Sequence, residues 1–204
     1  MTIASQPLSE AQSQAEVLES STAGWTAQCR DLHCAPPFGA FVRAPDATGD
    51  SQRPVIYGVV SQIATEPFDA SRRPLALWTR EDDMPARHPQ IGKLLRTVFE
   101  SRCVGWSNGT TFKTSLPPHP PRLHTFVLEC TPDEVRDITA RTGFVRLLLD
   151  NLVPNDELLI AACRNAAAAH NSDSDYLLRL GQELVAPLRG DYHRLRALLN
   201  RIEE

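Results

Sequence analysis

The sequence predicts an α+β fold: a small antiparallel β-barrel with one inserted helix, followed by a C-terminal helical subdomain. Three observations predict it. Aromatic and β-branched runs, separated by turn-rich text, fill residues 38 to 130. After Cys130 the apolar spacing changes to a helical period. Strands first and helices later is the order of an α+β chain, not of alternating βαβ units. The expected organisation is a flexible tail over residues 1–22, a barrel over 23–130 and helices over 131–204 packed on it.

The tail, "MTIASQPLSEAQSQAEVLESS", is rich in Ser, Gln and Glu and buries too little apolar surface to offset its ordering entropy. A short amphipathic helix around residues 11 to 18 is the competing reading. Five strand candidates follow: "FGAFVRA" (38–44), "PVIYGVVSQIA" (54–64), "RPLALWT" (73–79), "RCVGWSNGTTFKT" (102–114) and "LHTFVLEC" (123–130). Asn108-Gly109 inside the fourth is the dipeptide favoured where both turn residues need positive φ, so a hairpin is expected there. Between the third and fourth, Ile91, Leu94, Leu95, Val98 and Phe99 form one helical stripe behind Pro89. This is the inserted helix.

In the helical part, "TPDE" places Thr131 as N-cap, Pro132 at the first position and Glu134 at the third, a capping box. Val135, Ile138, Phe144, Val145 and Leu148 can face a core, with Gly143 poised to bend or break that helix. A second helix is expected behind Asn155 and a third over "SDYLLRLGQELVAPL", stopped by Pro187. A fourth carries Leu195, Leu198, Leu199 and Ile202 on one stripe.

Composition narrows the function classes. The chain has 204 residues, 42% hydrophobic and 23% charged, enough for a packed core. A net charge of -4 gives no support for a nonspecific grip on phosphates, so direct nucleic-acid binding is not expected. Five cysteines, an odd number, do not form a disulfide framework. No basic start leads into an apolar run, and no apolar stretch reaches the roughly 18 residues that span a bilayer. A soluble cytoplasmic protein without membrane insertion is expected, with self-association left open.

The chemistry-bearing motifs are incomplete. "CRDLHC" brings Cys29, His33 and Cys34 close together, but zinc needs four ligands, and the paired spacing of zinc ribbons is absent. Cys103, Cys130 or another His would have to complete such a site, so no metal and no cofactor is expected. His119 and His124 flank "PPRL" without a nucleophile or acidic orienter nearby in sequence. There is no GxSxG, no GxxxxGK[ST] and no GxGxxG. No catalytic residue is therefore assigned. For partner contact, Arg72 and Arg73 in "SRRP" and Arg122 in "PPRLH" could face an acidic surface. Trp106 would anchor a partner if exposed, or pack the hairpin if turned inward. Pro117, Pro120 and Arg122 have the spacing of a PxxPxR ligand. The alternative is a stiff connector entering a sheet at Leu123, since proline fixes φ and lacks the N–H.

"PPFGAFVRA", "RPVIYGVVSQIAT", "RRPLAL", "HPQIGKLLRTVFESRCVGW" and "LPPHPPRLHTFV" together resemble the HAS-barrel. This is the small barrel of HerA-type DNA translocases and of the N-terminal domains of ATP synthase α and β subunits. The likeness covers residues 35 to 130, and the whole chain is similar to short stand-alone members of the kind found in cyanobacteria. In the larger families the barrel precedes an ATPase core, holding rings together or docking a partner such as a nuclease. Their catalytic residues lie in that core, and this chain has helices and no phosphate loop in its place. The resemblance implies a docking and assembly role, at the level of fold. The expected function is a non-enzymatic module binding another protein through the barrel and the C-terminal helices. The alternatives are an accessory factor acting with a translocase or nuclease in DNA processing, and a metal- or thiol-dependent enzyme using Cys29, His33, Cys34 and His124.

Overall fold

An antiparallel sheet closes on itself around a core of mostly small and β-branched side chains. The computed structural model describes residues 15–45, 54–69, 71, 74–79, 83–109, 111–149 and 156–203. The strands are β1 (Ala15–Ser21), β2 (Gly24–Cys29), β3 (Phe41–Pro45), β4 (Val55–Pro67), β5 (Leu95–Ser107), β6 (Phe112–Lys113) and β7 (Phe126–Glu129). They run in the order β2-β1-β7-β3-β4-β5, and β5 pairs back onto β2, so six strands form a barrel. β6 hangs on the far end of β5. Closure removes the unpaired edges that an open sheet would leave.

Consecutive residues of the central strands face opposite sides. Val42, Ile56, Val60 and Cys103 point inward with Val17, Trp25, Ala27 and Phe99. Their neighbours Phe41, Tyr57, Val59 and Val104 point outward, into a second core built with the helices. Period-two alternation with both faces covered turns a strand into a continuous apolar run. β4 and β5 are 13 residues each, and their register shifts at Tyr57/Gly58 and at Val60/Gln62. Such bulges increase local twist and bend long strands around a small barrel.

The helices are α1 (Met84–Arg87), α2 (Ile91–Leu94), α3 (Pro132–Thr139), α4 (Phe144–Leu149), α5 (Asp156–Ala169), α6 (Ser174–Val185) and α7 (Tyr192–Glu203). The capping box of α3 is formed as expected: Thr131 Oγ1 accepts from Glu134 N at 3.3 Å, and Glu134 Oε2 accepts from Thr131 N at 2.9 Å. The other oxygen of Glu134 meets Arg43 Nε of β3 at 3.1 Å, so the cap also ties α3 to the barrel. On the far side, Asn165 Nδ2 of α5 donates to the Gly39 carbonyl at 2.8 Å.

Several expectations are corrected. An insertion with helical turns does sit between β4 and β5, but it stops at Leu94, and residues 95 to 107 are strand. The stripe through Val98 and Phe99 misleads because Thr97, Val98 and Phe99 are all buried, on both faces of β5. Residues 15 to 21, read as tail or helix, are β1, whose Ala15 and Val17 enter the barrel; residues 1–14 lie outside the described residues. Residues 74 to 79 form no strand. The Asn108-Gly109 hairpin exists, but Ser107 pairs with Phe112 across a four-residue loop, and of the two only Gly109 has positive φ. The chain does break at Gly143, between α3 and α4. The proposed cap Asn155 lies outside the described residues.

Candidate functional site

Cys29 ends β2 with its side chain in the barrel, whereas Cys34 is exposed. Burial first, then the neighbouring Cys34, pushes the Cys29 thiol up to about 11, so it carries no thiolate at neutral pH. His33 sits at φ 63; its N–H donates to Thr97 Oγ1 at 2.8 Å, and its Nδ1 lies 3.3 Å from Thr65 Oγ1. Thr65 and Thr97 hydroxyls are in turn 2.9 Å apart. The motif is thus a loop latched onto β4 and β5. Cys103 and Cys130, which would have completed a metal site, are core thiols, also raised by burial. Among the described residues no group of three or more His, Cys, Asp or Glu could hold a metal ion.

His124, at φ 64, lies 2.6 Å through Nδ1 from Glu16 Oε1, and its N–H donates to the Val17 carbonyl at 2.8 Å. Both contacts cross from the 122–125 turn to β1, where β1 and β7 share only Ala15↔Val127 and Glu16↔Phe126. An acidic partner for His124 exists after all, reached from over a hundred residues away, and it closes the barrel seam. His119 is exposed. Pro117 and Pro121 are buried and Pro121 forms a bridge, so the PxxPxR surface is not presented and the stretch is a connector.

Two of the residues expected at a partner surface, Arg122 and Trp106, are among the described residues. Arg72 and Arg73 lie outside the described residues. Arg122 is exposed, and its carbonyl accepts from Thr125 Oγ1 at 2.7 Å. Trp106 is half-buried against the barrel core. Its Nε1 donates to Ser115 Oγ at 3.2 Å, and Lys113 Nζ lies 4.5 Å from its ring centroid. It packs the hairpin, at the opposite end of β5 from Leu95.

That opposite end carries a feature the sequence reading missed. β4 and β5 stay paired out to Pro67↔Leu95, and Phe68 N extends the ladder with a 2.8 Å bond to the Leu94 carbonyl. Beyond it, Leu75 is 83% exposed, Trp78 96% and Phe68 64%, with Leu77 and Leu94 also exposed. Arg96 braces the base: it pairs with Glu66 Oε1 at 2.8 Å and lies 5.7 Å from the Phe68 ring centroid. Trp78 is held at φ 52, a conformation that disfavours bulky side chains and costs on the order of 1–3 kcal/mol. Thr79 fixes it from the next position, donating to the Leu77 carbonyl at 3.1 Å and lying 3.3 Å from His88 Nε2. The alternating "PLALW" has the pattern of a strand. Pro74 at its start and the charged residues 80–83 after it are the signals of an isolated segment instead.

Among the described residues no helix is long and apolar enough to cross a membrane. Comparison with protein-family models and with curated proteins returns no match.

Proposed function

We propose that this protein is a non-enzymatic protein-binding module, docking on its partner through the apolar arm at the end of the β4–β5 hairpin. The observation that carries this reading is the exposure of Leu75 and Trp78, 83% and 96%, on a segment anchored by a long paired hairpin. Large apolar and aromatic side chains left this fully in water are unfavourable unless something covers them. Trp is the residue most often found at the energetic centre of protein interfaces. The matching surface is an apolar groove on another protein. The HAS-barrel likeness of residues 35 to 130 supports the same role, a barrel that docks or assembles a partner without turnover chemistry of its own.

The test compares the wild-type chain with the Leu75→Ala/Trp78→Ala variant. Both side chains leave water only on docking, so the variant should keep its stability within about 0.5 kcal/mol. In a pull-down from native lysate the wild type should retain a stoichiometric protein that the variant loses. Equal retention by both removes the arm from the interface. Loss of an arm-dependent association with lipid vesicles, or of self-association in light scattering, with no protein captured, overturns the reading.

A further inference from the structure

A basic cleft lies in the helical part, apart from the arm. The turn between α3 and α4, one face of α6 and the loop after β6 border an open cleft of about 660 Å3, lined by Thr114, Arg141, Thr142, Arg146, Arg179 and Glu183 among others. The lining carries three arginines and one glutamate, in a chain whose net charge is -4. That carboxylate is engaged: Glu183 Oε2 accepts from Arg146 Nε at 2.8 Å. Among the described residues neither Arg141 nor Arg179 pairs with a carboxylate. Arg179 is held instead over the ring of buried Tyr176, 5.6 Å from its centroid. Thr114 walls the other side, its hydroxyl about to touch any side-chain carbon added at Gly143.

We propose that this cleft binds a compact small molecule carrying phosphate groups. The guanidinium fork matches the spacing of phosphate oxygens and stays charged at all relevant pH. Two guanidiniums without acidic partners call for at least two negative charges, which a diphosphate supplies. Thr114 and Thr142 line the wall and carry hydroxyls able to donate. The volume lies within the usual range of small-ligand sites, roughly 300–1,000 Å3. A free pyrophosphate and the diphosphate of a nucleotide share this chemistry. The absence of a phosphate loop from the sequence bears only on loop-borne sites, and this cleft is assembled from side chains of three distant segments. The inference is independent of the arm and its partner.

Calorimetric titration of the full chain with inorganic pyrophosphate and with a nucleoside diphosphate tests it. Binding to either should weaken by roughly tenfold in Arg141→Ala and in Arg179→Lys, which keeps the charge but not the fork. The double Arg141→Ala/Arg179→Ala variant should lose binding while its unliganded unfolding midpoint stays put. If the double variant does not fold, the two single variants decide. Tighter binding of the nucleotide than of pyrophosphate would identify the source as nucleotide; equal binding would identify the diphosphate alone. No binding of either at millimolar concentration, binding unchanged in the variants, or binding only of an oligonucleotide overturns the proposal.

Discussion

Phe41 on β3 and Phe144 on α4 meet edge to face, with ring centroids 5.8 Å apart and planes at 73°. Both are buried, and the contact joins the barrel's outer face to the helices in one core. Tyr57, Val59 and Val104 from the barrel share that core with Leu148, Leu159, Tyr176 and Leu180. Barrel and helices are therefore expected to unfold together. Truncating Phe144 to Ala should cost about 3–5 kcal/mol, the usual range for a buried Phe. Far-ultraviolet circular dichroism, dominated by the helices, and fluorescence of Trp25 inside the barrel should trace the same denaturation curve. Two separate transitions in the wild type would show that the helices stand by themselves.

How much of this was legible depended on whether a segment's surroundings are local. The α3 capping box uses residues three apart, so "TPDE" announced it. β4 was legible as a β-branched run because both its faces are covered. β5 has the same environment, yet its Leu95, Val98 and Phe99 also satisfy a helical period, and only pairing with β2 and β4 decides between them. β1 looked polar because only one face of "AEVLESS" enters the barrel. The His124–Glu16 pair and the arginine cleft join segments far apart in the chain, and no spacing rule reaches them. The arm misleads in the other direction: its residue types suit a strand, but residues 74–79 pair with no strand among the described residues.

Gly39 and Gly109 separate two uses of glycine. Both have positive φ, +82 and +85. A Cβ at Gly39 would collide with Ala161 of α5, directly beside the Asn165 bond to the Gly39 carbonyl, whereas at Gly109 it would meet only open space. Gly109→Ala should cost on the order of 1 kcal/mol, from conformation alone. Gly39→Ala should cost clearly more, about 2–4 kcal/mol, because it also pushes α5 off the barrel. Urea denaturation of the two variants measures the difference, and equal losses would mean that α5 yields freely.

The five cysteines should divide four to one in reactivity. Cys34 is exposed, while Cys29, Cys103, Cys130 and Cys163 are buried. Burial pushes Cys29 and Cys103 up to about 11 and Cys163 up to about 12, removing the reactive thiolate as well as access. A short maleimide pulse on the native protein should add one label, mapped to Cys34 by mass spectrometry. Labelling of Cys29 at a comparable rate would mean that the 30–35 loop opens readily, and would revive a thiol role for that site.

The folded state should weaken on mild acidification through His170. Its ring stacks on Tyr176, centroids 3.7 Å apart and planes 14° off parallel. Its Nε2 lies 3.0 Å from Thr139 Oγ1, whose own proton goes to the Val135 carbonyl at 2.6 Å, so the imidazole is the donor. Burial, then the positive charges of Arg136 and Arg179, lowers its pKa below the ordinary 6.5, with Asp173 opposing. The unfolded chain therefore takes up the proton first. Stability is full above pH 6.5 and declines as pH falls from there through the folded-state value, below which this contribution levels off. His170→Asn keeps a polar group on Thr139 but cannot titrate. The wild type's stability, measured by urea denaturation, should fall more than the variant's on moving from neutral to mildly acidic buffer. Parallel curves for the two proteins would assign the acid sensitivity to other groups.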